Sequence, residues 1–288
     1  MTTAVIGATG RVGSEIVRRV LARGDAVTAL VRDPGKARRA FGEPERLHIR
    51  PTRLDDPRDL TEALDGIRAV FIAMGSIGIE GVLQRIAISA AAGIGSIEQV
   101  TRLSVLNASA GSLGINQRAH YSIDQFASAA AVPYSTIRPA IFSASLLEGA
   151  PQVRASRTWT GLAGSGRMAL IDHRDAAEAG LRVLTNPALW GAHHDLTGPV
   201  LLSWPQALEL LSAELGEPVT FQVAAERQFL QRLTGAGVPA GTAELLITRE
   251  WAILAGENDY TTGTFQQITG HPPRPVAEFL HHYRAEFL

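Results

Sequence analysis

Gly7-Ala8-Thr9-Gly10-Arg11-Val12-Gly13 is a G-x-x-G-x-x-G stretch set between two different periodicities. Before it, Thr3-Ala4-Val5-Ile6 is a short, apolar, β-prone run that reads as a buried strand. After it, from Ser14 through Leu21, Ile16, Val17, Val20 and Leu21 recur at helical spacing. Strand, glycine turn and helix are the setting in which a glycine pattern reads as a phosphate site. Gly7 permits the tight turn, Gly10 lets the backbone approach a pyrophosphate, and Gly13 lets the helix pack closely on the strand. The helix N-terminus offers unpaired N–H groups to the anion, so the whole loop, Thr9, Arg11 and Val12 included, is a candidate dinucleotide site. An ordinary βα turn can carry the same glycines, but the flanking pattern favours the cofactor.

The end of the second strand bears on which dinucleotide binds. Asp25-Ala26-Val27-Thr28-Ala29-Leu30-Val31 runs into Arg32-Asp33-Pro34, about twenty residues past the loop, where the ribose-reading side chain belongs. An acid there would bond the 2′-hydroxyl of NAD. Arg32 instead offers a guanidinium that can hold a 2′-phosphate bidentately and stack on adenine, with Arg11 and Lys36 near in sequence. Asp33 stands against this, because a one-residue shift would put a carboxylate at the reading position. NADP(H) is the expected cofactor.

Composition narrows the rest. The 288 residues suffice for one large domain or two smaller ones. A net charge of −1 without a basic block leaves no footprint for nucleic acid. The absence of cysteine removes disulfides, thiolate catalysis and cysteine-ligated metals. No apolar run reaches membrane-spanning length, and the chain enters a strand at once, which leaves no room for a signal peptide. A cytoplasmic protein, monomer or homodimer, acting on a small molecule is expected. Of the 27 basic residues Lys36 is the sole lysine, which excludes a catalytic lysine away from the cofactor's adenine end.

The first 140 residues alternate strand and helix. Strands are expected at Leu47–Arg50, Ala69–Ala73, Gln99–Ser104 and Tyr134–Arg138. Helices are expected at Pro57–Leu64, capped by Asp56, at Glu80–Ala92 and at Gln117–Ala131. Repeated βα units with buried strands imply an α/β fold with a doubly wound parallel sheet, the Rossmann architecture. Ala73, Met74 and Gly75 after the fourth strand and Pro139 after the sixth then fall at its cofactor edge. Arg154–Arg167, rich in Gly, Ser and Thr, reads as a surface loop or edge hairpin. Met168–Ile171 and His194–Thr197 look like strands, and Asp175 is expected to cap a helix through Val183. Helical patterns follow at Pro205–Leu215, Ala224–Leu233, Ala240–Ala255 and Val276–Phe287. The division expected is a cofactor domain over 1–150, rejoined by 167–199, and a small helical substrate domain over 200–288 that walls the pocket.

In this order several stretches resemble one family: the glycine loop, Leu30-Val31-Arg32-Asp33-Pro34, Asp55-Asp56-Pro57 with Leu60, and Arg102-Leu103-Ser104. Pro133-Tyr134-Ser135-Thr136-Ile137-Arg138-Pro139, Ile171-Asp172-His173-Arg174-Asp175, Leu196-Thr197-Gly198-Pro199 and Thr269-Gly270-His271-Pro272-Pro273-Arg274 continue it. The chain resembles the NmrA-like branch of the atypical short-chain dehydrogenase/reductases, in its bacterial quinone reductase and triphenylmethane-dye reductase form. The resemblance implies an NADPH-binding Rossmann domain with a small helical C-terminal domain. Thr52-Arg53 departs from the Gly-Asp usual there, and the segment Ser104–Arg118 is richer in Gly and Ser than expected.

Standard members of the wider superfamily use a Tyr-x-x-x-Lys pair, in which lysine lowers the tyrosine's pKa. Here Tyr121 is followed four residues on by Gln125, so Tyr121 lacks its activator and is as readily a partly buried helix residue as a substrate contact. His120 is a candidate proton relay, or a helix-entry residue bonded to backbone. Ser104, at the carboxyl edge of the fifth strand, is placed to bond a substrate oxygen or a loop N–H. Asp172 and Asp175 read as helix-start residues. His193-His194 and His281-His282 lack spaced carboxylates, and no metal site is expected. Trp251, Tyr260, Phe229 and Leu230 belong to the helical part, mostly as core.

Without a tuned acid, hydride addition to a plain ketone leaves an unsupported alkoxide, whereas a quinone, enone or iminium spreads the charge. The expected activity is NADPH-dependent reduction of such a conjugated molecule. Two other readings stay open: a non-catalytic dinucleotide sensor, and a ketoreductase using His120 or Tyr121 as acid.

Overall fold

A computed structural model describes residues 2–130 and 132–288. The first half builds the expected alternation: β1 (Thr3–Ile6), α1 (Arg11–Ala22), β2 (Val27–Val31), α2 (Pro34–Phe41), β3 (Leu47–Pro51), α3 (Pro57–Ala63), β4 (Ala69–Ile72), α4 (Ile79–Ala92), β5 (Gln99–Leu103), α5 (Ile115–Ser128) and β6 (Tyr134–Pro139). Then follow α6 (Ala150–Ser156), β7 (Thr158–Gly161), β8 (Arg167–Met168), α7 (His173–Thr185), β9 (His193–Leu196), β10 (Leu202–Ser203), α8 (Trp204–Leu215), β11 (Thr220–Val223), α9 (Glu226–Gly235), α10 (Ala240–Leu254), α11 (Thr264–Thr269) and α12 (Val276–His282). The main sheet has the order β3-β2-β1-β4-β5-β6-β9, with every pairing parallel.

Strand alternation decides which face each side chain meets. Val5 joins the core under α1, α2 and α7, while Ala4 and Ile6 join the core under α3, α4 and α5. Both faces are covered, so β1 and β4 are buried throughout and, Thr3 apart, apolar. A third core, centred on Trp159, Trp204, Leu208 and Phe279, holds α6, β7, α8 and α12 together beyond the carboxyl edge of the sheet. Among the described residues no helix is long and apolar enough to cross a membrane.

Several boundaries move for identifiable reasons. Helix α1 begins at Arg11, three residues before the expected Ser14, because Gly10 ends the turn in extended geometry and Val12 already joins the buried face. Helix α5 closes at Ser128; the expected end at Ala131 lies outside the described residues. The Gly/Ser/Thr-rich stretch after Arg154 is a loop only over 162–166, and no hairpin. It finishes α6 and forms β7, which pairs in parallel with the distant β11, Trp159 opposite Phe221. Helix α7 is capped by Asp172, whose carboxylate accepts from the Arg174 N–H at 2.8 Å. Asp175 is inside the helix, buried, accepting from the Arg274 N–H at 2.8 Å and paired with its guanidinium. The last helical stretch breaks after His282 into a 3₁₀ turn at Arg284–Phe287.

Candidate active site

A cleft of ≈300 Å³ runs along the carboxyl ends of β1, β2 and β4, lined by Gly7, Thr9, Gly10, Arg32, Lys36, Ala73, Met74 and Gly75 among others. Its floor requires glycine. Gly7 has φ +79°, and a Cβ there would lie 2.1 Å from the Ala73 carbonyl oxygen. A Cβ on Gly13 would lie 2.2 Å from the Gly7 carbonyl oxygen, so strand, turn and helix meet with no side chain between them. Gly10 caps α1 without a side-chain hydrogen bond, and the first turn carries no acid, so the N–H groups there stay available to an anion. Val12 and Gly13 are buried behind the turn, and Arg11 is exposed on the first turn of α1 and does not line the cleft.

The adenine end separates Arg32 from Asp33. The Asp33 carboxylate is turned back to cap α2, accepting from the Lys36 N–H at 3.0 Å, and that bond holds its carboxyl below the usual range. Arg32 makes no ion pair among the described residues and lines both this cleft and an adjoining recess. There it is joined by Arg53 and by apolar Leu54, Ile79 and Leu83. A flat base between apolar side chains, with two guanidiniums at its rim, is the environment an adenosine 2′-phosphate requires. The residues present fit NADP(H).

A second cavity of ≈250 Å³ adjoins the first through Met74, which lines both. Ser104, Gln117, His120, Pro139, Ile141 and Phe142 line it from the sheet side, and Leu245 and Arg249 from α10. Beneath it lies a buried polar network. Asp124, on α5, accepts from Ser104 Oγ at 2.9 Å, from Tyr134 Oη at 2.8 Å and from Arg138 Nη2 at 3.1 Å. Arg102 on β5, fully buried, sits 3.2 Å from the same carboxylate and donates to Tyr134 Oη at 3.0 Å. It also donates to His120 Nδ1 from Nη1 at 2.8 Å and from Nη2 at 3.0 Å. A guanidinium only donates, so Nδ1 accepts and the ring proton resides on Nε2. Burial first, then the Arg102 and Arg138 charges, holds the His120 pKa well below the ordinary 6.5, and the imidazole is neutral. Burial likewise pushes the Tyr134 phenol well above 10.

The NAD(P)H-binding family model matches residues 7–187 of this chain. The chain belongs to the NAD(P)H-binding family. It is 30% identical over 293 aligned residues to an NAD(P)H azoreductase of Xenophilus azovorans, covering 98% of each chain. An Escherichia coli NADPH-dependent quinone oxidoreductase solved with NADPH superposes with a TM-score of 0.90 at 25% identity, covering 99% of this chain and all of that one. The negative transcriptional regulator NmrA, solved with NADP, shares the fold with a TM-score of 0.78 at 18% identity over 100% and 98% of the two chains. These likenesses agree with the NmrA-like character read from the motifs.

In this NAD(P)H-binding protein Ser104, His120 and Pro139 come together at one cavity, and Tyr121 is not among the residues lining it. Tyr121 sits half-buried on α5, one residue round the helix from His120. Asp124 was not visible as a site residue, although its place four residues after His120 puts both on one helical face. Arg102 stood out in sequence only as part of a motif. Among the described residues no cluster of three or more metal-ligating side chains occurs.

Proposed function

We propose that the chain is an NADPH-dependent reductase that passes hydride to a conjugated small molecule, such as a quinone, an azo compound, an enone or an iminium. The observation that carries this reading is Met74, which joins the dinucleotide cleft to a mostly apolar cavity floored by Ser104 and His120. The azo and quinone acceptors named for its relatives support the same class. Bound NADPH supplies the hydride. Arg32 and Lys36 hold the phosphate end of the cofactor, and Gly7, Gly10 and Gly13 keep the loop open to its pyrophosphate. Residues 200–288, with Trp159 and its neighbours packed into them, wall the substrate.

His120 acts as a neutral donor. Its Nε2–H is free to bond an oxygen or nitrogen that gains negative charge, and Arg102 prevents the ring from turning its acceptor nitrogen outward. A neutral imidazole does not readily release that proton, so His120 stabilises charge without serving as the acid. Ser104 spends its one hydroxyl proton on Asp124, so towards the cavity it can only accept a hydrogen bond, and it bounds the acceptor by contact. Acceptors that delocalise the incoming charge therefore suit the site, and a plain ketone does not. The apolar cavity favours turnover over mere sensing of the cofactor.

Steady-state loss of NADPH absorbance tests this with a panel of quinones, azo dyes and enones set beside a saturated ketone. Turnover confined to the conjugated set is expected. Absence of turnover across that set, or faster reduction of the ketone, would overturn the reading.

A further inference from the structure

Beyond the cavity over Ser104 lies a third, of ≈380 Å³, inside the helical part. The two share Glu148, Leu245 and Arg249, so α10 and the turn after β6 form a common partition. Four aromatic rings, Trp159, Trp204, Phe221 and Phe229, line the inner chamber. Trp159 stacks tilted on Trp204 at 4.8 Å and meets Phe221 edge-on at 6.2 Å. Glycines seat these rings: a Cβ on Gly149 would lie 2.7 Å from Trp159, and one on Gly161 would lie 2.8 Å from Phe221. The wall is rigid and flat-sided, suited to an aromatic ring.

One charged side chain of the lining, Arg232, has no ion-pair partner among the described residues. Phe229, Arg232 and Leu233 occupy successive turns on the inner face of α9, and all three line the chamber. The Arg232 guanidinium donates to the Gln152 side-chain oxygen and, at 3.2 Å, to the Thr160 carbonyl, both neutral. Among the described residues no carboxylate lies within ion-pair distance of it, and burial alone lowers its pKa. The two acids that line the chamber, Glu148 and Glu250, are both taken by Arg249, at 2.9 and 3.4 Å. A partly buried cation among aromatic rings, with no carboxylate in direct contact, costs folding energy that a surface arginine would not.

We propose that this chamber receives the far end of an aromatic acceptor, and that Arg232 binds a carboxylate or equivalent oxyanion carried there. The proposal rests on the reductase reading above, and it specifies the substrate class: conjugated, elongated and anionic at the end remote from the reducible group. The partition residue Arg249, already paired with Glu148 and Glu250, is not open to the anion and meets the uncharged middle of such a molecule.

Quenching of tryptophan fluorescence in the NADPH-saturated protein measures binding without turnover, since Trp159 and Trp204 line the chamber. Titration with 2-naphthoate and with its methyl ester is the direct comparison. Naphthoate should bind roughly tenfold tighter or more, as a charge-assisted bond to guanidinium provides. Arg232→Met should erase that preference and leave the ester within about twofold of wild type, and Arg232→Lys should retain part of it. Equal binding of acid and ester by the wild type would overturn the proposal. So would an equal loss for both ligands in Arg232→Met, the pattern of a residue that merely ties α9 to β7.

The same pairing in turnover, azobenzene-4-carboxylate against its methyl ester, should show the preference in KM. Discrimination in binding with no turnover of either compound sinks the reductase reading and leaves the oxyanion site standing. Turnover of both without discrimination sinks the oxyanion site alone.

Discussion

Ser104 Oγ donates to Asp124 Oδ2 at 2.9 Å, joining the first residue after β5 to a carboxylate buried in α5. Asp124 is also the shared counter-ion of Arg102 and Arg138 and the acceptor for Tyr134. Removing it strands the Arg102 guanidinium, which has no exposed surface. Asp124→Ala should lower unfolding free energy by about 3–5 kcal/mol in urea titrations, the usual cost of breaking a buried pair from one side. Ser104→Ala should leave stability nearly unchanged and lower kcat/KM for the acceptor without altering NADPH affinity. A stability loss in Ser104→Ala as large as that of Asp124→Ala would show that the serine is structural.

His120 gives the protein an acid-sensitive contribution to stability. Its pKa is held well below 6.5 in the fold and returns to that value on unfolding, so below pH 6.5 the unfolded chain binds the extra proton. Stability from this group is complete above pH 6.5 and is lost as pH falls beneath it. Stability should therefore fall between pH 7.5 and 5.5, as the unfolded chain takes up the proton that the folded ring refuses. His173 and His193 are also held low by burial and add in the same direction. The difference between wild type and His120→Gln across that range isolates His120, and parallel curves for the two proteins would refute the assignment.

Arg32 and Asp33 make opposite predictions about the cofactor. With Asp33 occupied as the cap of α2, Arg32 is the residue left to meet a 2′-phosphate. Arg32→Ala should weaken NADPH by about 2 kcal/mol and leave NADH almost unaffected, because NADH has no phosphate there. Isothermal titration with both cofactors decides it. An equal effect on both, or a wild-type preference for NADH, would remove the assignment of Arg32.

The segment after Ser104 is fastened by one carboxylate. Glu257, just past α10, accepts from the Leu113 N–H at 2.8 Å and from Ser112 Oγ, while its own carbonyl accepts from Asn107 Nδ2 at 3.3 Å. Glu257→Gln should cost about 1 kcal/mol locally. Hydrogen exchange should quicken in residues 107–115, and KM for the acceptor should rise, since Asn116 and Gln117 line its cavity. Unchanged exchange in that segment would show that the clasp is not what orders it.

The cofactor half was legible in the sequence because its information is local. Gly7, Gly10 and Gly13 directly follow β1, where backbone sterics fix what they do, and Arg32 directly follows β2. The lone Lys36 also spoke clearly, since composition suffices to exclude a Tyr–Lys pair. The Arg102–Asp124–His120 network was hidden because it exists only after β5, α5 and β6 pack together. Taken alone, Arg102 is part of a motif, His120 a candidate relay or helix-entry residue, and Asp124 carries no signal. The β7–β11 pair was hidden likewise: Thr158–Gly161 looks like loop until its partner arrives from Thr220–Val223, and only the burial of Trp159 distinguishes it. Arg232 carried a faint signal, an arginine on the same helical stripe as Phe229 and Leu233, which composition tends to excuse as solvation.

The chain leaves the sheet after β6, returns for α7 and β9, departs for α8 to α10, and returns for α11 before closing with α12. No single pair of cuts lifts out the part that surrounds the substrate. A recombinant that exchanged residues 200–288 with those of a relative would deprive β7 of its own β11 and seat a foreign α11 on native α7 and β9. Arg274 would likewise reach Asp175 from a different parent. Diversification of a protein threaded in this way proceeds by substitution in place, one lining residue at a time, and the cofactor half and the substrate half are inherited together.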